Sequence, residues 1–146
     1  MNAVRQWEDI EIGLEAGTVE ITLTHALIDE YIDVMGIDYP LFQRERGDDR
    51  ISPPDLAPKL AARKLYTNYI REHFGKPIRA KQAFAFERAV RVGTRLKATG
   101  HLVDKYERRE KRFLCFGADF TDSSGTIYLR DQRTYLLVPP GFLIKQ

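Results

Sequence analysis

Proton chemistry needs an acid and a base held within reach of one another, and this chain offers few candidates. Its 146 residues include three histidines, His25, His73 and His101, and one cysteine, Cys115. The segment from Met35 to Gln43, MGIDYPLFQ, has the make-up of an active-site loop: a glycine, an acid and a proline close together, then two apolar residues. Asp38 would take a proton from water there if an imidazole stood opposite to orient that water or return the proton. The other reading is an aspartate that caps the loop or faces solvent. His73 falls in the last turn of a helical segment, where an imidazolium suits the dipole. His25 opens a helix, and His101 lies on a strand with Lys97 and Thr99 on its face. Cys115 alternates with Phe113 and Gly117, the pattern of a small packing residue rather than a nucleophile. A lone cysteine excludes a disulfide framework and a zinc cluster, and it fits a reducing, cytoplasmic setting.

The elements that must hold these residues follow from periodicity. Thr18 to Thr24 (TVEITLT) alternates and is β-branched, which predicts a strand. Thr24 then caps a helix from His25 to Met35, with Leu27, Ile28, Tyr31, Ile32 and Met35 as its apolar stripe and Gly36 as its stop. Residues 37–54 form a long loop with a charged tip, Arg44 to Arg50, closed by Ser52-Pro53-Pro54; loops of that length within a domain are usually functional or mobile. Asp55 is a suitable N-cap for the longest helix, and Pro58 in its first turn is tolerated. Leu56, Leu60, Ala61, Leu65, Tyr69, Ile70 and Phe74 carry that helix's apolar face to Gly75. Four alternating segments near 81–91, 94–108, 111–122 and 126–138 predict antiparallel strands, with turns at Gly93-Thr94, Arg109-Glu110 and Asp122 to Gly125. The chain is α+β: a long helix and an antiparallel sheet of about five strands in a single domain, residues 1–146, without repeats or linkers.

Composition sets the broad class. Charged residues at 30% and apolar residues at 43% are ordinary for a globular domain. No apolar run approaches the roughly 18 residues that cross a membrane, and the stretch from Met1 to Trp7 lacks the apolar centre of a signal peptide. The net charge of +2 conceals an asymmetry: residues 1–49 hold twelve acids against Arg5, Arg44 and Arg46, whereas residues 76–112 hold twelve basic residues against four acids. A basic half suits an anionic ligand or an acidic partner surface, and also suits plain solvent-facing strands. Without a helix-turn-helix or a stacking aromatic motif, the charge does not indicate nucleic acid.

In order and spacing, Trp7 to Phe42, Ile51 to Ala61 and Phe86 to Leu137 resemble the MaoC-like dehydratases, most nearly their N-terminal, FAS1-like dehydratase half-domain; the resemblance spans residues 7–138. It implies a hot-dog fold, in which the sheet wraps the long helix. In that family the loop reads Gly-Asp-x-Asn-Pro-(Leu/Ile/Val)-His, and its Asp and His activate the water that adds to a trans-2-enoyl thioester, or run the reverse dehydration. Here Gly36, Pro40 and Leu41 match, but Ile37, Tyr39 and Phe42 stand at the Asp, Asn and His positions. Isoleucine and phenylalanine shuttle no protons, and Asp38, one place along an extended loop, points roughly the opposite way.

Hot-dog thioester enzymes also aim N–H groups at the start of the long helix towards the thioester oxygen. Ser52-Pro53-Pro54-Asp55 here removes two donors and adds a carboxylate. The resemblance therefore implies a non-catalytic, pocket-forming subunit beside a catalytic hot-dog hydratase subunit, a self-dimer, or both. Ile37, Tyr39, Leu41, Phe42, Ser52, Pro53 and Pro54 would line the acyl pocket, and Arg88, Arg91 and Arg95 would meet coenzyme A phosphates. The acyl thioester is the substrate, with no cofactor or metal. Two alternatives stay open: a stand-alone homodimeric hydratase or acyl-CoA thioesterase using Asp38, and an acyl-binding or interaction module without catalysis.

Overall fold

A computed structural model describes residues 5–138, so the first four residues of the stretch weighed as a signal peptide, and the last eight of the 1–146 domain, lie outside it. A short 3-10 turn at Trp7–Asp9 leads into β1, Glu15–Thr22, and α1, His25–Met35. Two more 3-10 turns, Pro40–Phe42 and Arg44–Asp49, occupy the long loop. The long helix comprises α2, Leu56–Ala62, a wider π turn at Arg63–Thr67, and α3, Asn68–His73. Then come β2, Lys76–Phe86; β3, Arg95–Arg108; β4, Lys111–Thr121; and β5, Ile127–Val138. The strands form one antiparallel sheet in the order β1-β3-β4-β5-β2. No helix among the described residues is long and apolar enough to cross a membrane.

One face of the sheet is apolar because alternation places Leu96, Ala98 and Leu102, then Leu114, Phe116 and Phe120, on the side that receives the helix. Leu56, Ala57, Ala61, Leu65, Tyr66 and Ile70 supply the helix's share of the core. Leu60 is not part of it: it is 43% exposed, standing one residue, about 100°, off the line through Ala57 and Ala61. Tyr66, which the periodicity omits, is fully buried where the wider turn slips the face by a position.

Helix and sheet come close at two glycines that pair across β1 and β3, Gly17 and Gly100. A Cβ on Gly17 would lie 1.9 Å from the Lys64 carbonyl oxygen, and one on Gly100 would lie 2.5 Å from that of Leu65. The π turn thus presses its backbone into a dent that only absent side chains provide.

Two strand boundaries differ from expectation. β1 begins at Glu15 and ends at Thr22, because Thr24 is taken up as the helix cap. β2 spans Lys76–Phe86 rather than 81–91, since Lys76 to Arg79 pair with Val138 to Tyr135 despite Pro77, which an edge strand tolerates. Past Phe86 the N–H groups of Glu87 and Arg88 both donate to the Tyr128 carbonyl, and the chain turns away.

Candidate functional site

The loop is launched by local chemistry. Thr24 Oγ1 accepts the Leu27 N–H at 3.2 Å and starts α1. Gly36 stops it in the left-handed region at φ 67°, with its N–H donating to Asp33 and that of Ile37 donating to Ile32. Beyond, Ile37 is half-buried and Asp38 exposed, and both line an open hollow of about 640 Å³ with Asp29, Glu30, Ile32, Asp33 and Gln43. Asp38 makes no ion pair or side-chain hydrogen bond among the described residues. Tyr39, Leu41 and Phe42 lie outside that hollow; the Tyr39 and Phe42 rings meet edge to face at 4.9 Å, with Tyr39 half-exposed and Phe42 half-buried.

A side chain the sequence did not single out sets the loop's shape. Arg50 is fully buried, and its guanidinium donates to Phe42 O at 2.8 Å, His25 O at 3.3 Å and Asp29 Oδ1 at 2.6 Å, while meeting His25 Nδ1 at 3.0 Å. Arg44 takes the other Asp29 oxygen at 2.6 Å. Hydrogen bonds from Arg44 and then Arg50 hold the Asp29 carboxyl below its ordinary range. The sign follows: these bonds add stability above the unfolded carboxylate range, and it is lost as pH falls through the lowered value. The i, i+4 spacing of His25 and Asp29 on one helix face is the signal that would have found the receptor, though nothing in it names Arg50 as the occupant.

Arg50→Met is expected to lower the unfolding free energy by about 2 kcal/mol, because it removes charge-assisted bonds made by a buried guanidinium, one of them to a half-exposed carboxylate. Urea unfolding measures the loss, and faster amide exchange from residue 37 to 50 would localise it. A variant as stable as the parent would mean the loop holds its shape by other contacts.

The start of the long helix is short of donors. Pro53, Pro54 and Pro58 have no N–H, and the Leu56 N–H donates to Pro53 O at 3.1 Å. Asp55 stands at the N-cap position, but its side chain makes no capping bond and instead accepts the Tyr31 hydroxyl at 2.7 Å. Burial and that bond push the Tyr31 hydroxyl up to about 12, and Lys59 Nζ donates to the same oxygen at 3.3 Å. Ser52 is buried, with its N–H donating to Val90 O and its hydroxyl to Pro53 O. Pro53 is buried beside it and Pro54 is exposed.

The remaining candidates disperse. Arg95 pairs with Glu20 on the neighbouring strand. Arg91 lies 3.9 Å from Asp49, and Arg88 is exposed just past β2. His73 Nδ1 accepts the Arg5 backbone N–H at 3.0 Å, His101 is 3.8 Å from Glu15, and His25 faces Arg50. Cys115 is buried, its sulfur accepting from Gln132 at 3.3 Å. Among the described residues no three His, Cys, Asp or Glu side chains are grouped to hold a metal.

A second buried polar group sits under the helix. Arg133 donates to Asp131 at 3.0 Å and to Pro58 O at 3.0 Å, and Tyr66 donates to Asp131 at 3.3 Å. Burial pushes the Asp131 carboxyl up, against the opposing pull of Arg133. Both side chains follow the strand's ordinary alternation, so only their polarity was visible in sequence.

No family model and no curated protein matches the chain. Solved structures do. The monoamine oxidase regulatory protein of Archaeoglobus fulgidus is 17% identical with a TM-score of 0.76, over 93% of this chain and 95% of that one. The HadBC (3R-hydroxyacyl-ACP dehydratase) complex of Mycobacterium tuberculosis is 17% identical with a TM-score of 0.69, over 86% and 99%. The R-hydratase PhaJ1 of Pseudomonas aeruginosa is 17% identical with a TM-score of 0.67, over 90% and 84%. The fold is the hot-dog fold of the MaoC-like dehydratases and R-hydratases.

Proposed function

We propose that this chain is the non-catalytic, pocket-forming subunit of a two-component (R)-specific enoyl-CoA hydratase or 3-hydroxyacyl dehydratase of the MaoC-like type. The observation that carries the reading is a loop whose frame is intact and whose reactive positions are apolar. Gly36 still ends α1, Pro40 still opens the next turn and Arg50 ties down the Phe42 carbonyl, yet Ile37 and Phe42 stand where proton transfer needs a carboxylate and an imidazole. The helix start supports it: three prolines, a used Leu56 N–H and the Asp55 carboxylate oppose stabilisation of an oxyanion. The fold shared with HadBC, described as a complex, is in keeping with a partner.

On this reading Ile37, Tyr39, Leu41 and Phe42, with the Ser52 to Pro54 corner, give the apolar wall to an acyl chain once a catalytic hot-dog chain closes the site. Exposed Arg88 and Arg91 take the phosphates of coenzyme A; Arg95 contributes less, being paired with Glu20. The thioester is the substrate, no cofactor takes part, and the reaction belongs to the cytoplasm.

The purified chain is expected to hydrate trans-2-enoyl-CoA no faster than background, followed by loss of enoyl absorbance. Ile37→Asp with Phe42→His is expected to leave it inactive, since Pro53, Pro54 and Pro58 still lack donors. Robust turnover by the chain alone, abolished by Asp38→Asn, would overturn the reading.

A further inference from the structure

The buried guanidinium that shapes the loop makes a demand on His25. Arg50 is fully buried, and an arginine side chain carries donors alone. Its Nη1 lies 3.0 Å from His25 Nδ1, so that nitrogen must present a lone pair, which leaves the ring neutral with its proton on Nε2. A proton on Nδ1 would set one N–H against another and bring two cations into contact at a half-buried position.

The surroundings do little to offset that repulsion. His25 is the first residue of α1, where the positive end of the helix dipole opposes a cation. Asp29, one turn along the same face, has both oxygens taken: Oδ1 accepts from Arg50 at 2.6 Å and Oδ2 from Arg44 at 2.6 Å. The loop contributes those two guanidiniums to the cluster. They already stand over one carboxylate, and a third cation would find no counter-charge there.

Arg50 in turn ties the loop to its neighbours. Its guanidinium donates to Phe42 O at 2.8 Å and to His25 O at 3.3 Å, and its own carbonyl accepts the Val92 N–H at 2.8 Å. We propose that His25 is an acid-sensitive latch: neutral, it seats Arg50 and fixes the loop from Ile37 to Arg50 against α1; protonated, it expels the guanidinium and releases that loop. An imidazole takes up its proton between about pH 8 and 5. The Asp29 carboxyl, held below its ordinary range by Arg44 and Arg50, stays ionised to more acid pH. The sign follows: the neutral ring adds stability above the imidazole range, and that stability is lost as pH falls through it. The latch itself stands apart from the acyl-pocket reading; only its effect on an acyl wall from Ile37 to Phe42 rests on that reading.

The test is amide exchange in the full chain at pH ~7.5 and ~5.5, expressed as protection so that the intrinsic pH dependence of exchange drops out. The Phe42, Gln43 and Ile51 amides report the loop, since they donate to the Tyr39, Pro40 and Leu41 carbonyls. Their protection is expected to fall roughly tenfold at the lower pH, the excess of protonated over neutral ring for an ordinary imidazole about one unit above it. His25→Gln, whose side-chain oxygen still accepts from Arg50 but takes up no proton, is expected to keep the loop protected at both values. The ring nitrogens give a second readout in the parent: by nuclear magnetic resonance near neutrality, Nδ1 is expected to be bare and Nε2 to carry the proton. Loop protection that does not change with pH, an equal fall in His25→Gln, or a proton on Nδ1 at neutrality overturns the proposal. No readout involves acyl binding or turnover, so its failure is distinct from failure of the enzymatic reading.

Discussion

Gly17→Ala is expected to keep the chain from accumulating as a folded protein, with a loss of more than about 3 kcal/mol, a large fraction of the 5–15 kcal/mol that holds a domain together. The added Cβ would stand 1.9 Å from the Lys64 carbonyl oxygen. Neither side yields easily, because β1 is hydrogen-bonded to β3 and Lys64 lies within the helical run. Gly100→Ala meets a backbone oxygen at 2.5 Å and the Tyr66 ring at 3.0 Å, so it should cost less, roughly 2–3 kcal/mol. Gly36→Ala is the control: nothing lies near its added carbon, and the left-handed backbone alone costs about 1 kcal/mol. Soluble yield and urea midpoints rank the three. If Gly17→Ala matched Gly36→Ala, the close seating of the π turn would be wrong.

The same glycines mark where sequence stops informing. α1 was legible to the residue because its start, stop and stripe are all local: a threonine cap, a helical period and a glycine. The turns before β3, after β3 and after β4 were legible for the same reason, with Arg109 and Glu110 held at φ 52° and 65° in the tight link between β3 and β4. A π turn has no composition of its own, so neither the slip that buries Tyr66 nor the role of Gly17 and Gly100 shows in periodicity. β2 was misplaced because the residues that define it, Lys76 to Arg79, are strand only by pairing with β5.

Within the loop, the apolar residues are plain in the sequence, whereas the charges that shape it are not. Arg50 is buried because Asp29, His25 and the Phe42 carbonyl converge on it, a fact of tertiary structure. A charged loop tip looks the same in sequence whether its last arginine faces water or the interior. Asp55 shows the converse: the right residue at the right place for a cap, drawn off by Tyr31 from another helix.

Arg133→Met is expected to cost about 3–5 kcal/mol at neutral pH, because it strands the buried Asp131 carboxylate without its cation. Arg133 and Asp131 are 3% and 2% exposed, and the guanidinium also holds the Pro58 carbonyl in the first turn of α2, so the helix start loosens with it. The pH dependence separates the charge from the lost packing. In the parent, burial raises the Asp131 carboxyl above its ordinary value while Arg133 pulls it down. With Arg133 gone, the folded-state value rises further. A folded state that holds its proton more tightly than the unfolded chain gains stability as pH falls towards the unfolded carboxylate value and loses it as pH rises through the folded one. The deficit of Arg133→Met relative to the parent should therefore be largest near neutrality and shrink on acidification towards pH ~5. Adding Asp131→Asn should remove most of that pH dependence, because nothing at the position then titrates. Urea unfolding of the parent and both variants across this range measures it. A deficit that stayed constant with pH would mean that Asp131 is not left charged, and that Arg133 matters through its hold on Pro58 and its packing beside Tyr66 and Phe84.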